Sequence, residues 1–130
     1  MPSIKSNTQS KFGCWTIPVT AETGATRTIT PADFGTIITN RGGGALTATL
    51  PTPIAAFAGC WVKFFQVAAG DLVITSANNL VALNDAAATS LTLGQAGEEI
   101  GNGVTVICDG TSWLVQVHLS AEAVTTVVGA

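Results

Sequence analysis

Residues 45–50 read Ala-Leu-Thr-Ala-Thr-Leu, which puts Leu46, Ala48 and Leu50 on one side of an extended chain and Thr47 and Thr49 on the other. A period of two is the signature of a half-buried β-strand, and no stretch here keeps the longer period of an amphipathic helix beyond a single turn. The same alternation, or a short run of β-branched and aromatic residues, marks 14–19, 26–29, 36–39, 61–67, 72–76, 90–93, 104–108 and 113–119. In 61–67, Trp61, Lys63 and Phe65 oppose Val62 and Phe64. Both faces are largely apolar, so this strand is expected at the centre of a sheet.

Turn chemistry fills the gaps. Asp109-Gly110-Thr111-Ser112 separates two β-prone runs with residues that accept the positive φ of a tight hairpin. Arg41-Gly42-Gly43-Gly44 reads as another hairpin tip, and Leu50-Pro51-Thr52-Pro53 ends a strand because proline donates nothing to a ladder. Thr30-Pro31-Ala32-Asp33 offers a capping hydroxyl, a proline at the first helical position and a carboxylate at the third, which predicts one helical turn. Phe34 would then plug into the core and Gly35 would end the turn. Residues 82–89 read as a loop, since Asn84 and Asp85 outweigh the alanines at 86–88. About nine or ten short strands with frequent turns make the expected fold all-β, a single β-sandwich or jelly roll. The expected organisation is a polar arm over 1–12, the sandwich over 13–119 and a tail or edge strand over 120–130.

Composition narrows the function classes. Only 10% of the 130 residues are charged while 47% are hydrophobic, against roughly 25% charged in an ordinary soluble domain. The exterior must be covered by threonine, serine, asparagine and glycine, or by other chains. A net charge of −3 provides no basic field for a phosphate backbone, so nucleic acid is not an expected partner. No apolar run approaches the ~20 residues that span a bilayer, so no membrane is expected either. The opening stretch with Lys5 and Lys11 lacks an apolar run after its lysines and does not read as a secretory leader.

Chemistry-bearing residues are sparse. Cys14, Cys60 and Cys108 are odd in number and widely spaced, which favours reduced, mostly buried thiols over a disulfide framework or zinc site. His118 is the single histidine and alternates with Leu114 and Gln116, which reads as a surface or interface position. Glu98 and Glu99 would point to opposite faces of a strand, and Asp33, Asp71, Asp85 and Asp109 each read as solvated turn residues. Gly42–Gly44 lacks the lysine and following helix of a phosphate-binding loop. Trp61 and Trp113 are expected in the core, and Trp15 at a subunit contact. No catalytic residue, metal site or cofactor is expected.

Four segments carry a resemblance. They are residues 28–40, with Thr30-Pro31-Ala32-Asp33-Phe34-Gly35; Ala48-Thr49-Leu50-Pro51; Leu72-Val73-Ile74-Thr75; and residues 103–115, with Asp109-Gly110-Thr111-Ser112-Trp113. In this order they resemble a domain of tailed-bacteriophage virion proteins, found in head decoration proteins and in head or tail fibres. The resemblance implies a small β-sandwich, assembled as a homotrimer, exposed on the virion and without enzymatic activity. The chain has no collagen-like tract and no heptads, so a capsid decoration, or cement, protein bound to the major capsid protein fits better than a fibre. The alternative is a receptor- or glycan-binding domain of a head or tail fibre, with Trp15 and Trp113 as stacking faces. Lys5, Lys11 and Trp15 are the expected capsid- or partner-binding residues, and 123–128 is expected to add a strand between subunits.

Overall fold

Buried and more exposed side chains alternate along the longer strands of the computed structural model, which describes residues 8–9, 15–94, 99–118 and 125–128. The strands are β1 (Thr8–Gln9), β2 (Trp15–Thr16), β3 (Val19–Ala21), β4 (Thr26–Thr28), β5 (Ile37–Thr39) and β6 (Leu46–Thr49). They continue with β7 (Trp61–Phe65), β8 (Leu72–Ala82), β9 (Asp85–Leu93), β10 (Gly103–Cys108), β11 (Trp113–His118) and β12 (Thr125–Val128). The fold is all-β.

The topology has two parts. From β3 to β8 the chain alternates between two parallel ladders. In the first, Val19 of β3 lies beside Ile37 of β5, and Ile37 beside Lys63 of β7. In the second, Thr26 of β4 lies beside Thr47 of β6, and Thr47 beside Val73 of β8. This half is a short parallel solenoid, so Arg41–Gly44 turns a corner between ladders; the expected hairpin is not there. At that corner a side chain on Gly42 would run into the Thr23 backbone of the previous coil. Antiparallel strands complete the sheet: β8 pairs with β9, β10 with both β11 and β7, and β12 with β9. β7 is central, as its two apolar faces predict, lying between β5 and β10.

Beside the two-stranded pair of β1 and β2, ten strands form one curled hydrogen-bonded network. β8 joins its flanks. Leu72–Thr75 pair with β6, the register then shifts around Asn78 (φ 56°), and Leu80 and Val81 pair with β11. Residues 82–89, expected as a loop, are the hairpin of β8 and β9, turned on Leu83 (φ 46°) and Asn84 (φ 70°). The strand at 125–128 pairs with Ser90–Leu93 of its own chain, at an edge of the sheet.

Side chains settle the coils. The predicted helical turn is a 3-10 turn over Pro31–Asp33, followed by Phe34 and then Gly35 at φ 77°. A matching turn over Ala55–Phe57 leads through Ala58 to Gly59 at φ 84°. Each ends in the positive φ that glycine adopts without strain, and each delivers the chain into a strand of the first ladder. Beyond β5 and β7, a buried amide closes each coil. Asn40 Oδ1 accepts from the Val67 and Ala68 N–H groups (2.7 and 3.2 Å) while its Nδ2 donates to Ala68 O (3.1 Å). Gln66 Nε2 donates to Gly70 O (2.8 Å) and Leu93 O (3.3 Å).

Between the ladders lies one apolar core that includes Ile38, Leu46, Val62, Phe64, Ile74, Leu91, Val106 and Trp113. Phe34 packs against it as predicted, its ring 5.0 Å from Phe57 and 5.9 Å from Trp113 in edge-on contacts. Trp113 is fully buried and its indole N–H donates to Pro51 O at 2.8 Å, which satisfies the polar atom such a ring brings into a core.

Candidate interaction surface

Strand parity dictates what each flank shows to the outside. On the flank of β4, β6, β8 and β9, the core takes Ala48, Ile74 and Leu91, and the alternate positions face out. Those outward rows run Thr26–Thr47–Val73–Thr92 and Thr28–Thr49–Thr75–Ser90 across the registered strands. Thr75 Oγ1 lies 3.2 Å from Thr49 Oγ1. This face is mostly hydroxyl, with Val73 among the threonines and Val128 of β12, 56% exposed, beside Ser90 at its edge.

The other flank has a different outer face. There β7, β10 and β11 turn Val62, Val106 and Val115 inward, so Trp61, Ile107 and Leu114 point out. With Val81 of β8 beside Leu114, they form one apolar row across four strands. Phe65 and Val19 lie on the same face, 38% and 61% exposed, and Leu114 is 37% exposed. Lys63 is the one formally charged residue in these rows, flanked by Ile37 and Thr105, with Gln116 beyond Thr105. Trp61, expected in the core, instead occupies this outward row. Its position next to the core-facing Val62 leaves no alternative on a strand.

The first coil closes the end of the solenoid with charge. Arg27 has the inward parity of its ladder, level with Ala48, and would otherwise face the open end of the core. It donates to Glu22 Oε1 at 2.8 Å and to Asp33 Oδ1 at 2.6 Å, while Asp33 Oδ2 accepts from the Thr30 N–H at 3.1 Å. A hydrogen bond from the Gly24 N–H, and then the Arg27 guanidinium, hold the Glu22 carboxyl below the usual glutamate range. Asp33 is thus buried and ion-paired, a correction to its expected solvated role, because Arg27 needs a counter-charge where water is scarce. Terminal coils of solenoids need such a polar cap.

The remaining residues singled out from the sequence are scattered. Lys5, Lys11 and Cys14 lie outside the described residues, and Trp15 is described only as backbone, pairing with Gln9. His118 is exposed at the end of β11, its Nε2 3.4 Å from Thr105 Oγ1, on the same outward parity as Leu114 and Gln116. Asp85 and Asp109 cap turns as expected: Asp85 Oδ1 accepts from Ala87 N–H, and Asp109 Oδ1 from Thr111 and Ser112 N–H. Glu99 is buried in the loop before β10 and not on a strand. Cys60 and Cys108 are free thiols on neighbouring backbone, joined by a 2.8 Å bond from Cys108 N–H to Cys60 O. Among the described residues no three of His, Cys, Asp and Glu gather as a metal site, and no helix is long and apolar enough to cross a membrane. A groove of about 440 Å³ beside the β8–β9 turn is lined by Val81–Ala86 and Val115, with Asp85 its one ionisable group.

The chain matches no protein-family model, no curated protein and no solved structure.

Proposed function

We propose that this chain is a non-enzymatic virion structural protein: a capsid decoration, or cement, protein that sits on the outer surface of a phage head as a homotrimer and stabilises it. The observation that carries the reading is one small curled sheet with a hydroxyl-covered outer face on one flank and an apolar outer face on the other. A lone molecule leaves Trp61, Ile107 and Leu114 partly in water. Copies that cover them gain about 25 cal/mol for each Å² of apolar surface buried. The partners in this reading are identical copies and the major capsid protein, with no cofactor, nucleic acid or membrane. Lys5 and Lys11 give the arm its positive charge. Three arms reaching one shell at once raise avidity well above that of a single arm.

The alternative, a glycan-binding fibre domain, loses Trp113 as a stacking face because that ring is fully buried. The deciding experiment adds purified protein to expanded heads that lack it. Saturable co-sedimentation and a higher temperature of shell disruption are expected. Heads that stay bare at saturating protein end the proposal.

A further inference from the structure

Three surfaces of the molecule are already suited to solvent. The threonine rows present hydroxyls, the Arg27–Glu22–Asp33 cluster caps the end of the solenoid, and the hairpin turn at Asp109 is polar. The outer face of β7, β10 and β11 is not. Resting on the assembly reading above, we infer that this face, centred on Trp61, Ile107 and Leu114, is the surface through which copies of the chain meet.

Charge selects the occupant. The chain carries a net charge of −3, so approaching copies repel one another over most of their surface. The described acids Glu22, Asp33, Asp71, Asp85, Glu99 and Asp109 all lie off the outward rows of these strands. Two negative molecules can meet on this face without bringing acids together, and unlike the threonine rows it also offers them Trp61, Ile107 and Leu114 to bury. A strongly acidic partner would find one cation there, Lys63, and a basic partner would find no acid in those rows. A second copy brings apolar surface and neutral hydroxyl and amide groups. Depletion of charge around aromatic and aliphatic anchors is the composition of an interface core. Lys63 lies between Ile37 and Thr105, over which its stem can lie flat while its ammonium reaches water.

Light scattering during gel filtration tests this on the full chain. Wild type is expected as an oligomer at micromolar concentration. Leu114→Glu, which buries an unpaired carboxylate in the contact, is expected to weaken assembly by about 100-fold or more and give monomers. Thr49→Glu, on the threonine face, is expected to leave the oligomer intact. Gln116→Arg and Lys63→Glu give two further readings of the same face at exposed or half-exposed positions, and the circular dichroism spectrum checks that each variant folds. An oligomer that survives folded Leu114→Glu, Gln116→Arg and Lys63→Glu, or one that Thr49→Glu disperses, overturns the inference and leaves the trimeric reading standing. A wild type that is monomeric throughout removes both. Shell binding by an intact oligomer whose face variants are monomeric supports both together.

Discussion

Gly42 and Gly44 lie two residues apart at one corner of the solenoid, yet a methyl group added to each meets opposite surroundings. At Gly42 it would collide with the Thr23 carbonyl, which is backbone of the neighbouring coil and cannot swing aside; at Gly44 nothing lies within 4 Å. Gly42→Ala is therefore expected to cost about 1–3 kcal/mol by forcing the coils apart. Gly44→Ala is expected to range from no change to a gain of about 1 kcal/mol, because it restricts only the unfolded chain. Urea titration of the two variants gives the comparison, and equal midpoints would remove the steric account of the corner. The carboxyl of Glu22 tests the capped end in a similar way. The Gly24 N–H and then Arg27 keep it ionised to lower pH than in the unfolded chain. That stabilisation is complete above the usual carboxylate range and is lost as pH falls below it through the lowered pKa of the folded chain. Glu22→Gln should melt lower than wild type near neutral pH and converge with it in acid. Asp109, held low by the Ser112 and Thr111 N–H groups, leaves a residual acid slope in both proteins.

Whole elements divide into those with a local cause and those imposed by neighbours. β6, β7, β10 and β11 follow from alternation alone, and the 3-10 turn at Pro31–Asp33 from its cap and proline. The second half of β8 and the first half of β9 hold Ala77-Asn78-Asn79 and Ala86-Ala87-Ala88, which have little preference for strands. They stay in the sheet because the pairs around them, Thr75 with Ser90 and Leu80 with Ala88, hold them there, and a sequence window does not contain that reason. Parallel stacking is hidden for a related cause. The partners Val19, Ile37 and Lys63 are unevenly spaced, so the coils leave no fixed repeat to find. Arg27 left a fainter trace: between Thr26 and Thr28 it holds the inward position of its strand, which calls for a buried acid. The apolar outer face was half visible in residues 61–65, but its row through Ile107 and Leu114 depends on register. Asn40 carries the element-scale prediction, since it bonds to three backbone groups of the next coil. Asn40→Ala leaves those groups unpaired in a buried corner and is expected to cost about 2–4 kcal/mol. Hydrogen exchange should show faster exchange at Val67 and Ala68 ahead of the rest of the sheet. The β8–β9 turn runs the other way: Leu83 holds φ 46° while 53% exposed, and Leu83→Asn should stabilise by up to about 1 kcal/mol in the same titration.

At the scale of the molecule, few charges and two unlike outer faces have one shared consequence. A chain with so few charges has little electrostatic means of choosing a partner, and its apolar outer face, with Lys63 as its single charge, must do so by shape and burial. Salt separates that mechanism from an electrostatic one. Each copy is net negative, so screening reduces the repulsion between copies and removes almost no attraction, because Lys63 is the lone charge in the contact rows. Raising sodium chloride tenfold from about 50 mM, which shortens the screening length roughly threefold, should leave self-association unchanged or tighten it. Cooling should weaken it, as expected when apolar burial supplies the driving force. Sedimentation velocity over a dilution series at both salt concentrations measures the dissociation constant. A tenfold loss of affinity at high salt would mean that ion pairs hold the copies together, and the face of Trp61, Ile107 and Leu114 would then be the wrong one.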